Sequence, residues 1–146
     1  MIHTTGEAAP HTEAVLATLA AAGIPADCGQ APDGGGWQGE PGRSTFIGYA
    51  VVHPTPGTPD GSIAEPLEYL DYRAQINCYG ATATQAAHLA DRVKTVLVGR
   101  RLQVPGRATY PVTQPVGSAP PLLRDDSLTP PLYMAVVEIT IRSQPT

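Results

Sequence analysis

The 146-residue sequence predicts an α+β fold: an antiparallel β-sheet with two α-helices packed on one face. Two observations carry this. Two segments show a single apolar stripe at helical spacing between clear start and stop signals, and three others read as strands. A helix with one stripe has one face to bury, so both helices belong on the same side of the sheet. The length suits a single domain over 1–146.

The first helix is predicted over 12–22. Thr12 serves as N-cap, Glu13 sits in the first turn, and Val15, Leu16, Leu19 and Ala20 form the stripe. Gly23 supplies a left-handed stop, Ile24 folds back on the helix, and Pro25 prevents its resumption. A short strand around Cys28 follows. The stretch from Gly29 to Gly42, with six glycines around Trp37, is expected to be a loop. It lacks the spacing of a phosphate-binding turn.

Thr45 to His53 reads as a strand covered on both faces, through Phe46, Ile47, Tyr49, Val51 and Val52. The region 54–66, with four prolines and Asp60-Gly61, is expected to be an extended hairpin loop. Glu68 to Tyr79 then alternates cleanly. Leu70, Tyr72, Ala74, Ile76 and Cys78 point to the core, and Asp71, Arg73, Gln75 and Asn77 point away. Gly80 ends the strand. Thr82-Ala83-Thr84-Gln85 is a capping box that opens a second helix over 83–98, with Ala86, Leu89, Ala90, Val93, Val96 and Leu97 on its stripe.

Leu102 to Val104 and Tyr110 to Val116 are short strand candidates. The region 105–131 carries seven prolines, so it is expected to form a long extended loop outside the centre of the sheet. The last strand, Leu132 to Arg142, turns Tyr133, Ala135, Val137, Ile139 and Ile141 inward and leaves Val136 as the apolar exception on the outer row. The predicted shared core is Leu16, Leu19, Leu70, Ile76, Val93, Leu97, Val137 and Ile139.

Composition excludes several functions. Net charge is −4 with a single lysine, Lys94, so no basic stripe exists to hold nucleic acid. No run approaches the ~20 apolar residues of a membrane span, and the first residues have no signal-peptide character. Cys28 and Cys78 read as free thiols in a reducing compartment. Charged residues are only 15% of the chain, which suits a protein that covers its surface with neighbours.

Catalytic chemistry finds no purchase. His3, His11, His53 and His88 form no metal-ligand spacing, and the serines stand in no nucleophile motif. A Cys78/His53 pairing across the hairpin is conceivable, but Cys78 belongs to the inward row. Arg124-Asp125-Asp126 reads as a turn with local arginine pairing, or as an interface contact. Asp71 and Arg73 read as a surface pair on the outer face or as a bridge between subunits. No catalytic residue, metal or cofactor is expected.

Tyr72-Arg73-Ala74-Gln75-Ile76-Asn77-Cys78-Tyr79-Gly80, leading into Ala83 to Leu97, resembles the strand-to-helix core of tail terminator proteins of tailed bacteriophages. Gly23-Ile24-Pro25 after the first helix, and Asp125-Asp126 with Thr129-Pro130-Pro131 before the last strand, are similar too. The excess of arginine over lysine and the Ala/Gly/Pro bias would suit a siphophage of an actinobacterial host.

The resemblance implies a homo-oligomeric, hexameric ring in the virion tail, assembled in the host cytoplasm. Such a ring caps the tail tube, ends its polymerisation and presents a head-tail joining surface. Its partners would be further copies of itself, the tail tube protein and the head-tail connector protein, with DNA only passing through the lumen and no membrane contact. An acidic, lysine-poor ring is physically suited to that passage. The residues themselves supply the candidate interface: Ile63, Leu122, Leu123 and Leu128 are apolar residues that the two proline-rich loops would expose, Asp71, Arg73 and Gln75 form the outer strand row, and Arg124 and Asp125 stand in the turn.

Another neck, head-closure or minor tail protein fits the same observations. A different class, a small-molecule binding domain or enzyme, would place a pocket near Trp37, Tyr49 and Tyr79.

Overall fold

A computed structural model describes residues 8–59, 70–115 and 120–146. It contains two helices, α1 (Ala8–Ala21) and α2 (Ala83–Leu97). The strands are β1 (Ala26–Cys28), β2 (Gly36–Trp37), β3 (Phe46–Ile47), β4 (Tyr49–Pro59), β5 (Leu70–Gly80), β6 (Arg107–Thr109), β7 (Leu123–Asp125) and β8 (Leu132–Pro145). The main sheet runs β1-β4-β5-β8-β6, with β7 also paired to β8, and β2 and β3 form a separate two-stranded ribbon. All pairings are antiparallel except that of β1 with β4.

Both helices cover the face onto which the alternate row of β5 projects. Leu70, Tyr72, Ala74, Ile76 and Cys78 are buried against Val15 and Leu19 of α1, Leu89, Val93 and Leu97 of α2, and Val137, Ile139 and Ile141 of β8. The fold is therefore the α+β class that the stripes predicted. The seam between β5 and α2 is close. A Cβ on Gly80 would sit 2.5 Å from the amide nitrogen of Ala86, so only glycine lets the helix start against the strand end.

The helix ends follow local chemistry. The Gly23 amide bonds to the Ala20 carbonyl at 3.0 Å and the Ile24 amide to that of Leu19 at 3.0 Å, with Gly23 at φ 76°. This pattern closes the last carbonyls of α1, and Ile24 is buried beneath it. At the start of α2, Thr82 accepts from the Gln85 amide, and Gln85 Oε1 accepts from the Ala81 amide at 2.8 Å. Gln85 also donates to the Phe46 carbonyl at 2.9 Å, which ties the β2–β3 ribbon to the helix.

Several boundaries differ from expectation for physical reasons. Helix α1 begins four residues before Thr12, with Pro10 in its first turn, where a missing N–H costs no intrahelical bond. Thr12 is thus no N-cap; its hydroxyl is shared with Tyr72 OH at 2.7 Å. Leu16 is only partly buried, at the rim of the core. Gly48 divides the expected strand from Thr45 to His53 into β3 and β4, and Trp37 in the expected glycine loop pairs with Phe46.

The largest correction concerns 54–66. Residues 54–59 are not loop but the second half of β4, in register with β5 from Pro54 opposite Ala74 to Pro59 opposite Leu70. Proline survives there because Ala50 N and Val52 O face β1, so position 54, in phase with them, also turns its nitrogen away from β5. Beyond Cys28 that side of β4 has no partner strand among the described residues, and the missing N–H of Pro54 costs no ladder bond. The rest of that expected loop, including Ile63, lies outside the described residues.

The strand candidate at Leu102–Val104 and the described part of Tyr110–Val116, which ends at Pro115, are reduced to single bridges, Val104 with Arg107 and Thr113 with Thr140. The strand falls between them at β6, and β7 adds a second edge segment, so part of the region 105–131 is paired to β8 and is not loop.

Truncating Ile76 or Leu97 to alanine should cost about 2–5 kcal/mol, because both are fully buried. Truncating the exposed Val98 should change stability by less than about 0.5 kcal/mol. Urea denaturation of the three variants checks the assignment of the buried face.

Candidate functional site

The described interface candidates lie on two surfaces: the hairpin formed by β7 and β8, and the sheet face opposite the helices. In the hairpin, Leu123 pairs with Met134 and Asp125 with Leu132. The turn is held by its own polar groups. The Ser127 amide donates to Asp125 Oδ1 at 3.0 Å, and Arg124 Nε meets Asp126 Oδ1 at 2.7 Å. The two carboxylates therefore serve different local partners and do not converge. Around this ordered turn, Leu122, Leu123 and Leu128 remain 38%, 48% and 41% exposed.

On the sheet face, the cross-strand partner of Asp71 is Arg142, at 3.8 Å, and not Arg73. Gln75 Nε2 donates to Asn77 Oδ1 at 2.9 Å. Thr55 donates to the Arg73 carbonyl at 3.0 Å. Arg73 itself is exposed.

At the opposite end of this face the aromatic residues touch one another. Trp37 meets Phe46 edge-on at 5.0 Å, Phe46 meets Tyr49 at 6.0 Å, and Tyr49 stacks on Tyr79 at 5.1 Å. Burial raises the Tyr49 phenol pKa, with further contributions from Tyr79 and from the Asp125 carboxylate. A cleft of about 790 Å³ opens elsewhere, between the start of α2 and the ribbon. Thr84, His88 and Arg92 lie along one wall, with Pro25, Ile47 and Leu89 among the apolar lining. Trp37, Tyr49 and Tyr79 do not line it.

Cys78, His53 and His88 do not assemble into a site. Cys78 lies on the helix-covered face and is fully buried, whereas His53 lies on the opposite row, so no Cys–His pair forms. His88 is exposed on α2. No group of three His, Cys, Asp or Glu that could hold a metal ion occurs among the described residues. Among them, too, no helix is long and apolar enough to cross a membrane.

One buried polar cluster was not anticipated. His11 Nε2 lies 2.7 Å from Ser143 Oγ, Arg107 Nε donates to the same oxygen at 2.9 Å, and Arg107 Nη2 donates to the Ser143 carbonyl at 3.1 Å. His11 also stacks on Tyr72 with ring centroids 5.4 Å apart. Ser143 and His11 are fully buried, so substrate has no route to this serine. Its role is to fasten α1 and β6 to the end of β8. Two signals in the sequence pointed there: His11 precedes Val15 and Leu19 at four-residue intervals, and Ser143 continues the inward alternation of Ile139 and Ile141.

No family model matches the chain, and no curated protein sequence is similar to it.

Both cysteines are free thiols. Burial pushes the Cys78 thiol up to about 12, with Lys94 pulling weakly the other way. In the native protein a thiol reagent at pH 8 should therefore titrate only the exposed Cys28, and in denaturant it should titrate both. Because an unfolded thiol ionises near roughly 8.5, this group favours the native state fully below that pH. Its contribution is lost as pH rises from there toward 12.

Ser143→Ala should cost about 1–3 kcal/mol, because it strips a buried acceptor from Arg107. Thermal denaturation measures the loss.

Proposed function

We propose that the chain is a structural assembly subunit of a phage tail. It would form a ring that caps the tail tube, ends polymerisation of the tube and presents the surface to which the head connector joins. The observation that carries this reading is the β7–β8 hairpin, where three leucines are held outward on a paired, internally braced turn. A free loop could fold such leucines back on its own domain. A hairpin whose backbone is in register and whose turn is closed by Asp125 cannot easily do so, and its ordering cost on docking is already met. The outer row Asp71, Arg73 and Gln75 offers a second contact surface. The resemblance of the β5–α2 segment to tail terminators supplies the specific role, and the low charge agrees with a surface that neighbours cover.

Other neck and minor tail proteins would use the same surfaces and differ in the partner captured. Binding of a small molecule is favoured by a different observation, the cleft beside α2. Loss of binding on Arg92→Ala would identify that site in a ligand screen.

Mass measurement and electron microscopy of the purified protein, alone and with tail tubes, test the main reading. Rings that lose their contacts in Leu122→Asp/Leu123→Asp, with an unchanged melting temperature, are the expected outcome. A wild-type chain that stays monomeric at high concentration and leaves tube length unaltered would sink it.

A further inference from the structure

We propose that the outer face of the sheet closes on the same face of a second copy of this chain across a two-fold axis, with Arg73 of each copy against Glu138 of the other. The proposal rests on the reading of the chain as a self-assembling part, and it names the contact and its symmetry.

The argument starts from which charges on that face are matched. Register places three rows across β4, β5 and β8: His53–Gln75–Glu138, Thr55–Arg73–Thr140, and Asp71 opposite Arg142. Asp71 and Arg142 answer each other at 3.8 Å. Arg73 and Glu138 are both exposed, and neither has an ion-pair partner among the described residues. Among the described residues they are one cation and one anion left without an ion pair, on a face whose other side carries both helices.

Their positions decide the symmetry. Arg73 and Glu138 stand on adjacent strands one step out of register, a diagonal separation of about 7–8 Å. Two neighbours cannot each cover one of them without colliding. A single neighbour must cover both, and if it is the same chain it brings the same two charges. Both then meet an opposite charge of the neighbour when Arg73 of each copy lies over Glu138 of the other, which is a two-fold, isologous contact. The direction of approach is also constrained. Pro54 removes a donor from the open side of β4, which disfavours extension of the ladder there by a second copy. A cyclic contact through the leucine hairpin uses a different surface and is compatible with this one.

Charge reversal tests the contact. The wild-type chain should sediment as a dimer or as an even-numbered assembly, weakened by salt. Arg73→Glu and Glu138→Arg should each raise its dissociation constant by about tenfold or more, because each sets like charges against one another. Mixing the two single variants should restore association to near the wild-type level, since every contact between them is again between opposite charges. Melting temperatures and circular dichroism should match the wild type throughout. Single variants that associate like wild type, or a mixture that fails to recover, would overturn the proposal. A ring of unchanged mass in Arg73→Glu would remove this contact and leave the ring reading standing. A wild-type chain that is monomeric at every concentration would remove both.

Discussion

Strand β5 has hydrogen-bonded neighbours along both edges and a buried alternate row, and these two constraints place nearly everything else. Its pairing with β4 on one side and β8 on the other leaves no freedom of register, since a slip by one residue would turn Leu70, Tyr72, Ala74, Ile76 and Cys78 to the outer face. Both helices then have one surface to cover. The glycine at the end of the strand brings the first turn of α2 into direct contact with it, so the helix axis is set by the strand and not by a flexible connection. The outer face inherits its order from the same register. The charges of that face stand where they do because the inward row must stay inward.

Elements governed by short-range rules were legible in the sequence. The stop of α1 at Gly23, the capping box of α2 and the alternation of β5 each depend on residues within a few positions of one another, and each formed where the pattern placed it. What long-range partners decide was less legible. Nothing local says that Arg107 and Thr109 form a strand; they do so because β8 offers an edge and Ser143 an acceptor. The second half of β4 looked like loop because of its prolines. Their permissibility depends on which edge of the strand is open, and that is a property of the sheet.

The candidate surfaces divide in the same way. Outward placement of Asp71, Arg73 and Gln75 followed from period-two alternation, but the pairing of Asp71 with Arg142 required the register of β8. The exposure of Leu122, Leu123 and Leu128 was legible as apolar residues in a proline-rich stretch. Their presentation on a closed hairpin came from Asp125 and from pairing with β8. The buried histidine was overlooked because a polar residue at the head of an apolar stripe resembles the solvated start of a helix.

The fastening of His11 to Ser143 joins residues 132 positions apart in the chain. Helix α1 is made before the strands it packs on, yet a polar group in its buried face finds its partner only once β8 exists. Until then His11 and Tyr72 would lack the wall that β8 provides, and the apolar stripe of α1 would rest on an incomplete sheet. Completion of the domain depends on non-local pairing, a topology that folds more slowly than a helical bundle of similar size. A nascent chain halted before residue 143 would leave the apolar surfaces of α1 and β5 without the strand that completes their cover.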